Sequence, residues 1–165
     1  MLTDLTIVGG HLGLHRLRRA HSELWLHALD GTQGRLLPLP GLGQSYGLLG
    51  HPDDDTVFFH YTSFTQPAQI FAASVTTGQA KLWAQVELPG RAEVTAQLQT
   101  TQVDYWSPGA GGGGEAGSEP TGARITMFLV HRRDLPRDGS TPFLLSGYGG
   151  FNVSMLPEFS SGMLT

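Results

Sequence analysis

The chain is 165 residues long, with 14 acidic against 10 basic residues and a formal net charge of −4. That length is one ordinary domain's worth, and the absence of any basic face argues against a nucleic-acid partner. There is no cysteine, hence no disulfide framework, thiolate nucleophile or thiolate metal site, which fits a reducing, cytoplasmic setting.

The opening residues, Met1-Leu2-Thr3-Asp4-Leu5, lack the basic stretch and apolar core of a secretory leader. No apolar run approaches the ~20 residues a bilayer-spanning helix needs, so no membrane association is expected. From the start to about Pro89 the pattern is one of short strands divided by turn signals, without a sustained helical period. Leu5 to Val8 and Leu12 to Leu17 open the series. Ser22 to Leu29 alternates with a period of two and stops at Asp30-Gly31, a strong turn pair. Arg35 to Leu39 follows, with Pro38 and Pro40 marking a strand end or edge. Thr56 to Thr62, rich in β-branched and aromatic residues, is the clearest strand of this half. Gln69 to Val75 and Ala80 to Leu88 form a hairpin across Thr76-Thr77-Gly78-Gln79. The basic cluster from His15 to Arg19 reads as a solvated strand end or turn. Strands spaced this regularly predict a sandwich, barrel or propeller.

Three patterns imitate chemistry. Gly43-Gln44-Ser45-Tyr46-Gly47 matches the Gly-x-Ser-x-Gly nucleophile elbow, with Asp53, Asp54, Asp55 and His60 following in hydrolase order. An elbow needs a buried strand before the serine and a helix after it. Here two prolines precede the serine and a strand follows, so a turn between strands is the better reading. His11 and His15 have the i, i+4 spacing of a zinc helix, but Leu12-Gly13-Leu14 between them supplies neither a glutamate nor helix formers. Asp53-Asp54-Asp55 lacks the spaced ligands and closing glutamate of a calcium loop. No metal or cofactor is expected.

Beyond Pro89, Ala92 to Trp106 reads as a crossover leading into a new strand. Residues 107–122, from Ser107-Pro108-Gly109 to Gly122, are rich in glycine, unable to bury apolar surface, and expected to form a flexible insertion. A phosphate-cradling loop would require a following Gly-Lys-Ser/Thr, which is missing. Phe143-Leu144-Leu145 is a continuous apolar run bounded by turn residues, which predicts a strand buried on both faces. It runs into Ser146-Gly147-Tyr148-Gly149-Gly150-Phe151-Asn152, where three glycines clear the space around a tyrosine.

The ordered run Ile125-Thr126-Met127-Phe128-Leu129-Val130-His131, then Asp138-Gly139, Pro142, Gly147-Tyr148-Gly149-Gly150-Phe151-Asn152, Ser154, Pro157 and Phe159-Ser160 resembles the prolyl oligopeptidase family of serine peptidases. His21 to Gly31 and Val57 to Phe71 are similar to the last blades of the propeller that caps those enzymes. The resemblance implies a mixed fold: residues 1–91 as a partial all-β propeller of about two blades, at ~40–45 residues per blade, and residues 92–165 as the opening strands of an α/β-hydrolase domain. The glycine-rich insertion stands where the family has a tight hairpin turn.

The resemblance also implies a function, cleavage of short peptides after proline through an acyl-enzyme intermediate, by an intact monomeric protein. Tyr148 takes the place of the tyrosine that donates to the oxyanion, and Phe151 that of the phenylalanine lining the proline pocket. A phenol is a donor at neutral pH and an aromatic face suits a pyrrolidine ring. The family's serine, aspartate and histidine lie farther toward the C-terminus than Thr165, so the chain reads as a fragment, inactive by itself. A reading from another class is a non-catalytic propeller fragment serving as a binding module.

Overall fold

The computed structural model describes residues 1–90, 92–107, 122–148, 150, 151 and 153–164. Gly149, Asn152 and most of the glycine-rich insertion (108–121) lie outside the described residues. Eight strands make two four-stranded antiparallel sheets, each in simple chain order. The first holds β1 (Leu2–Val8), β2 (His11–Arg18), β3 (His21–Ala28) and β4 (Arg35–Leu37). The second holds β5 (Leu48–Gly50), β6 (Thr56–Tyr61), β7 (Gln69–Ser74) and β8 (Ala80–Gln85). β7 and β8 pair across the expected turn. β4 stops just before Pro38, where the missing amide hydrogen interrupts a ladder.

Period-two patterning sets which residues turn inward. Along β6, Val57, Phe59 and Tyr61 are buried while Thr56, Phe58 and His60 face the other way. The inward set meets its counterpart from the first sheet. Val8, Leu24, Leu26 and Leu37 pack with Leu48, Val57, Phe59, Ala73 and Val75 in one cluster, and Phe59 stacks on Phe71 with ring centroids 5.3 Å apart. The two sheets are also joined by their backbones and loops. The amides of Gly9 and Gly10 donate to the carbonyls of His51 and Pro52 at 3.0 and 2.7 Å, and Arg35 donates to the Thr76 carbonyl at 2.7 Å.

A short helix, α1 (Ala92–Gln97), leads into β9 (Leu98–Trp106), which pairs antiparallel with β10 (Arg124–Arg132) in unbroken register from Arg124↔Trp106 to Arg132↔Leu98. The helix occupies the stretch read as a crossover. Among the described residues no helix is long and apolar enough to cross a membrane.

The run Phe143-Leu144-Leu145 departs from expectation. It is extended but unpaired, and its side chains are 67%, 86% and 79% exposed, so it is not a strand buried on both faces. Continuous apolar runs become buried strands only when neighbours supply ladder bonds and cover. β9 and β10 pair with each other, and no described strand flanks residues 142–148.

The shared core predicts a local contrast in stability. Leu24→Ala, at a fully buried site, should destabilise the chain by about 2–5 kcal/mol in urea unfolding. Leu49→Ala, at a site 74% exposed, should change it by about 0.5 kcal/mol or less.

Candidate functional site

Tyr148 and Phe151 sit on an open turn. Tyr148 is 55% exposed and Phe151 91% exposed, the latter in the left-handed region with φ 55°. A side chain at Gly147 would meet nothing within 4 Å, and the Val153 amide donates to the Gly150 carbonyl at 3.1 Å. The phenol oxygen of Tyr148 lies 3.9 Å from where a Cβ on Gly150 would be, so the ring folds back over that glycine. No ring contact joins Tyr148 and Phe151 among the described residues. Both sequence-predicted residues are therefore presented on the surface, and the described residues do not bring them together in a pocket.

The segment that follows is anchored to the second sheet. Pro157 is fully buried, and the Phe159 amide donates to Thr62 Oγ1 at 3.4 Å. Between this segment and the sheet lies a cleft of about 310 Å³, lined by Tyr46, His60, Thr62, Glu158 and Phe159 among others. The Tyr46 and His60 rings meet in its lining, tilted by 35° with centroids 4.6 Å apart. Burial lowers the pKa of His60, against the opposing pull of the Glu158 carboxylate.

The elbow-like motif has a structural explanation. Ser45 is 1% exposed, its amide donates to Ser22 Oγ at 2.9 Å, and its own hydroxyl is buried with no hydrogen-bond partner. Ser22 Oγ also meets His15 Nε2 at 2.9 Å, so one hydroxyl serves both neighbours. Gly43 is needed because a Cβ there would come within 2.3 Å of the Tyr61 ring. The motif is thus the close-packed passage between the two sheets, and no base reaches the Ser45 oxygen. His11 Nδ1 faces the Gly9 carbonyl at 2.8 Å. Asp54 accepts from the Thr56 amide at 3.0 Å and Asp55 from the Thr76 amide at 2.7 Å, both as turn caps. Among the described residues no three His, Asp or Glu side chains group in a way that could hold a metal ion.

The cluster from His15 to Arg19 is not the simple solvated turn that its sequence implied. His15 is buried, Arg16 and Arg18 pair with Glu23, and Arg19 reaches Asp104 at 2.7 Å. Arg19 hydrogen-bonds the Asp104 carboxylate and, with Thr126 and Arg124, holds its pKa down to about 2. A contact across 85 residues leaves no local signal in the sequence.

The family model for the prolyl oligopeptidase N-terminal β-propeller domain matches residues 1–86. A prolyl endopeptidase of Elizabethkingia meningoseptica is 27% identical over 157 residues, covering 95% of this chain and 20% of the relative. Dipeptidyl aminopeptidase BI of Pseudoxanthomonas mexicana is 32% identical over 118 residues, covering 70% of this chain and 14% of the relative. A solved prolyl endopeptidase superposes with a TM-score of 0.78 at 43% identity, over 99% of this chain and 22% of its own. Prolyl oligopeptidase B of Galerina marginata shares the fold, with a TM-score of 0.76 at 21% identity over 96% of this chain and 21% of its own. The chain spans about a fifth or less of the length of these relatives.

Two outcomes follow from the buried polar passage. Ser45→Ala should leave stability within about 0.5 kcal/mol or raise it, since it removes an unsatisfied hydroxyl, whereas Ser22→Ala should cost about 1–3 kcal/mol by orphaning two partners. Chemical unfolding measures both, and a serine-reactive fluorophosphonate should leave Ser45 unlabelled. The second outcome concerns pH. Burial lowers the pKa of His15, partly offset by Asp4, and that of His60 likewise, below the ordinary 6.5. The unfolded chain then takes up protons first as pH falls. Stability is full above pH 6.5, declines as pH drops through the lowered folded values, and levels off below them. His15→Gln should flatten that slope in unfolding midpoints compared at about pH 7.5 and about pH 5.5.

Proposed function

Because the chain belongs to the prolyl oligopeptidase family, whose propeller model covers residues 1–86, we propose that it forms part of a serine endopeptidase cleaving short peptides after proline. In this reading residues 1–91 are about two propeller blades and residues 92–165 are the first part of the α/β-hydrolase domain. The propeller restricts entry to small peptides. Tyr148 donates to the oxyanion of the tetrahedral intermediate and Phe151 walls the proline pocket. The observation that carries the reading is the placement of Tyr148: exposed, beside glycines, on a segment that Pro157 and Phe159 fasten to the second sheet.

The chemistry required of Tyr148 is narrow. As the nucleophile adds to the scissile carbonyl, the oxygen gains a negative charge that it lacks in the ground state. A donor placed for that charge lowers the barrier without tightening substrate binding equally. Proline's ring presents an apolar edge and carries no amide hydrogen, so an aromatic wall such as Phe151 can select it by shape. The chain itself is proposed to be inactive. Its one elbow-like serine is sealed in the passage between the sheets, away from any base. We place the intact protein in a reducing, cytoplasmic setting, a reading supported by the absence of cysteine, and take it as a monomer from the family resemblance alone.

In an intact enzyme carrying this sequence, Tyr148→Phe keeps the ring and removes one donor. Steady-state kinetics on a short proline-containing peptide should show kcat reduced roughly 10²–10³-fold with a much smaller change in KM. An unchanged kcat would assign Tyr148 to packing and favour the non-catalytic propeller reading.

A further inference from the structure

The turn that follows β6 does more than connect two strands. Ser63 organises it: the Ser63 hydroxyl accepts from the amides of Thr65 and Gln66 at 3.3 and 3.1 Å, and the Ser63 amide donates to the Gln66 carbonyl at 3.1 Å. A serine that bonds the backbone two and three residues further on closes such a turn locally. The Thr62 backbone is fixed as well, because its amide and carbonyl both pair with Gln44 in an isolated β-bridge, at 3.0 and 2.8 Å. Thr62 and Ser63 are 4% and 3% exposed, although threonine and serine mostly lie at surfaces.

Two side chains of this turn reach the second half of the chain. Phe64 meets Phe128 of β10 edge to face, with ring centroids 5.5 Å apart. Thr62 uses its hydroxyl in both directions. It donates to the Gln66 carbonyl at 3.1 Å, which fixes the rotor and leaves a lone pair to accept the Phe159 amide at 3.4 Å. Pro157, fully buried, packs down beside that bond. Between the two grips lies the stretch with Tyr148 and Phe151. Among the described residues from 142 to 156 the only hydrogen bond runs from the Val153 amide to the Gly150 carbonyl, and Phe143, Leu145, Tyr148 and Phe151 are all exposed.

We infer that Thr62 is a positioning residue: through the Phe159 amide it sets where the segment bearing Tyr148 leaves the second sheet, and so where the phenol meets the oxyanion. The inference rests on the peptidase reading of Tyr148. An oxyanion donor acts through its placement, and a misplacement of about 1 Å can cost ~10²-fold in rate. Thr62 itself does not touch substrate.

Thr62→Val keeps the size and branching of the side chain and removes the hydroxyl. The Gln66 carbonyl keeps the Ser63 amide, while the Phe159 amide loses Thr62. In an intact enzyme carrying this sequence, kcat per titrated active site on a short proline-containing peptide should fall about tenfold, less than the cost of full misplacement. Titration removes any mere loss of folded enzyme from that figure. Thr62→Ser, which keeps the hydroxyl, should restore most of the rate. In a Tyr148→Phe background Thr62→Val should leave kcat unchanged within about twofold, because the donor it positions is already gone. Additive losses from the two substitutions, or an unchanged kcat in Thr62→Val where Tyr148→Phe lowers it, overturn the inference and leave the role of Tyr148 standing. An unchanged kcat in Tyr148→Phe overturns both.

The chain with Thr62 intact supplies a second measurement should Thr62→Val fail to fold. In amide hydrogen exchange Phe159 should be protected together with the β6 amides, and Tyr148 should exchange at least tenfold faster, as an order of magnitude. A Phe159 amide that exchanges as fast as that of Tyr148 overturns the inference.

Discussion

Neither four-stranded sheet of this chain has a core of its own. Val8, Leu24, Leu26 and Leu37 from the first sheet are buried because Leu48, Val57, Phe59, Ala73 and Val75 from the second lie over them. A single twisted sheet of this size exposes an apolar face to water, and stacking against a neighbour is how propeller blades remove that cost. The requirement explains features otherwise unconnected. The passage from one sheet to the next must run close to Tyr61, hence Gly43, and its amides must be satisfied without water, hence the hydroxyl of Ser22 shared between Ser45 and His15. What resembles a nucleophile elbow is the packing solution for that passage.

The same logic describes the other half of the chain. β9 and β10 form a two-stranded ladder of full length, and such a ladder is only marginal in isolation. It gains support from the Arg19 turn and the Phe64–Phe128 contact. The residues after it, from Phe143 to Met155, carry many apolar side chains in the open. Their apolar character suits a parallel sheet with both faces covered, which is the setting the α/β-hydrolase proposal supplies.

The propeller half was largely legible. Ser22 to Leu29 and Thr56 to Thr62 became β3 and β6 within a residue or two, because alternation, β-branched residues and Asp30-Gly31 all pointed the same way. β5, at three residues, is too short to carry a period, and α1 has too few turns to show one. Phe143-Leu144-Leu145 misled because an apolar run records a preference for burial while its partners decide whether burial occurs. Burial of His15 and pairing of Arg19 with Asp104 depend on chain segments far apart in sequence, so local pattern held no trace of them. Tyr148 and Phe151 were singled out through a motif, and the structure leaves both exposed on a turn, outside any pocket.

The most direct test of the central proposal is a structure of an intact protein carrying this sequence, bound to a proline aldehyde that forms a tetrahedral adduct with the catalytic serine. The Tyr148 hydroxyl should lie about 2.7–3.1 Å from the adduct oxygen, with Phe151 against the proline ring. An adduct oxygen held by other donors, with Tyr148 turned to solvent, would contradict it.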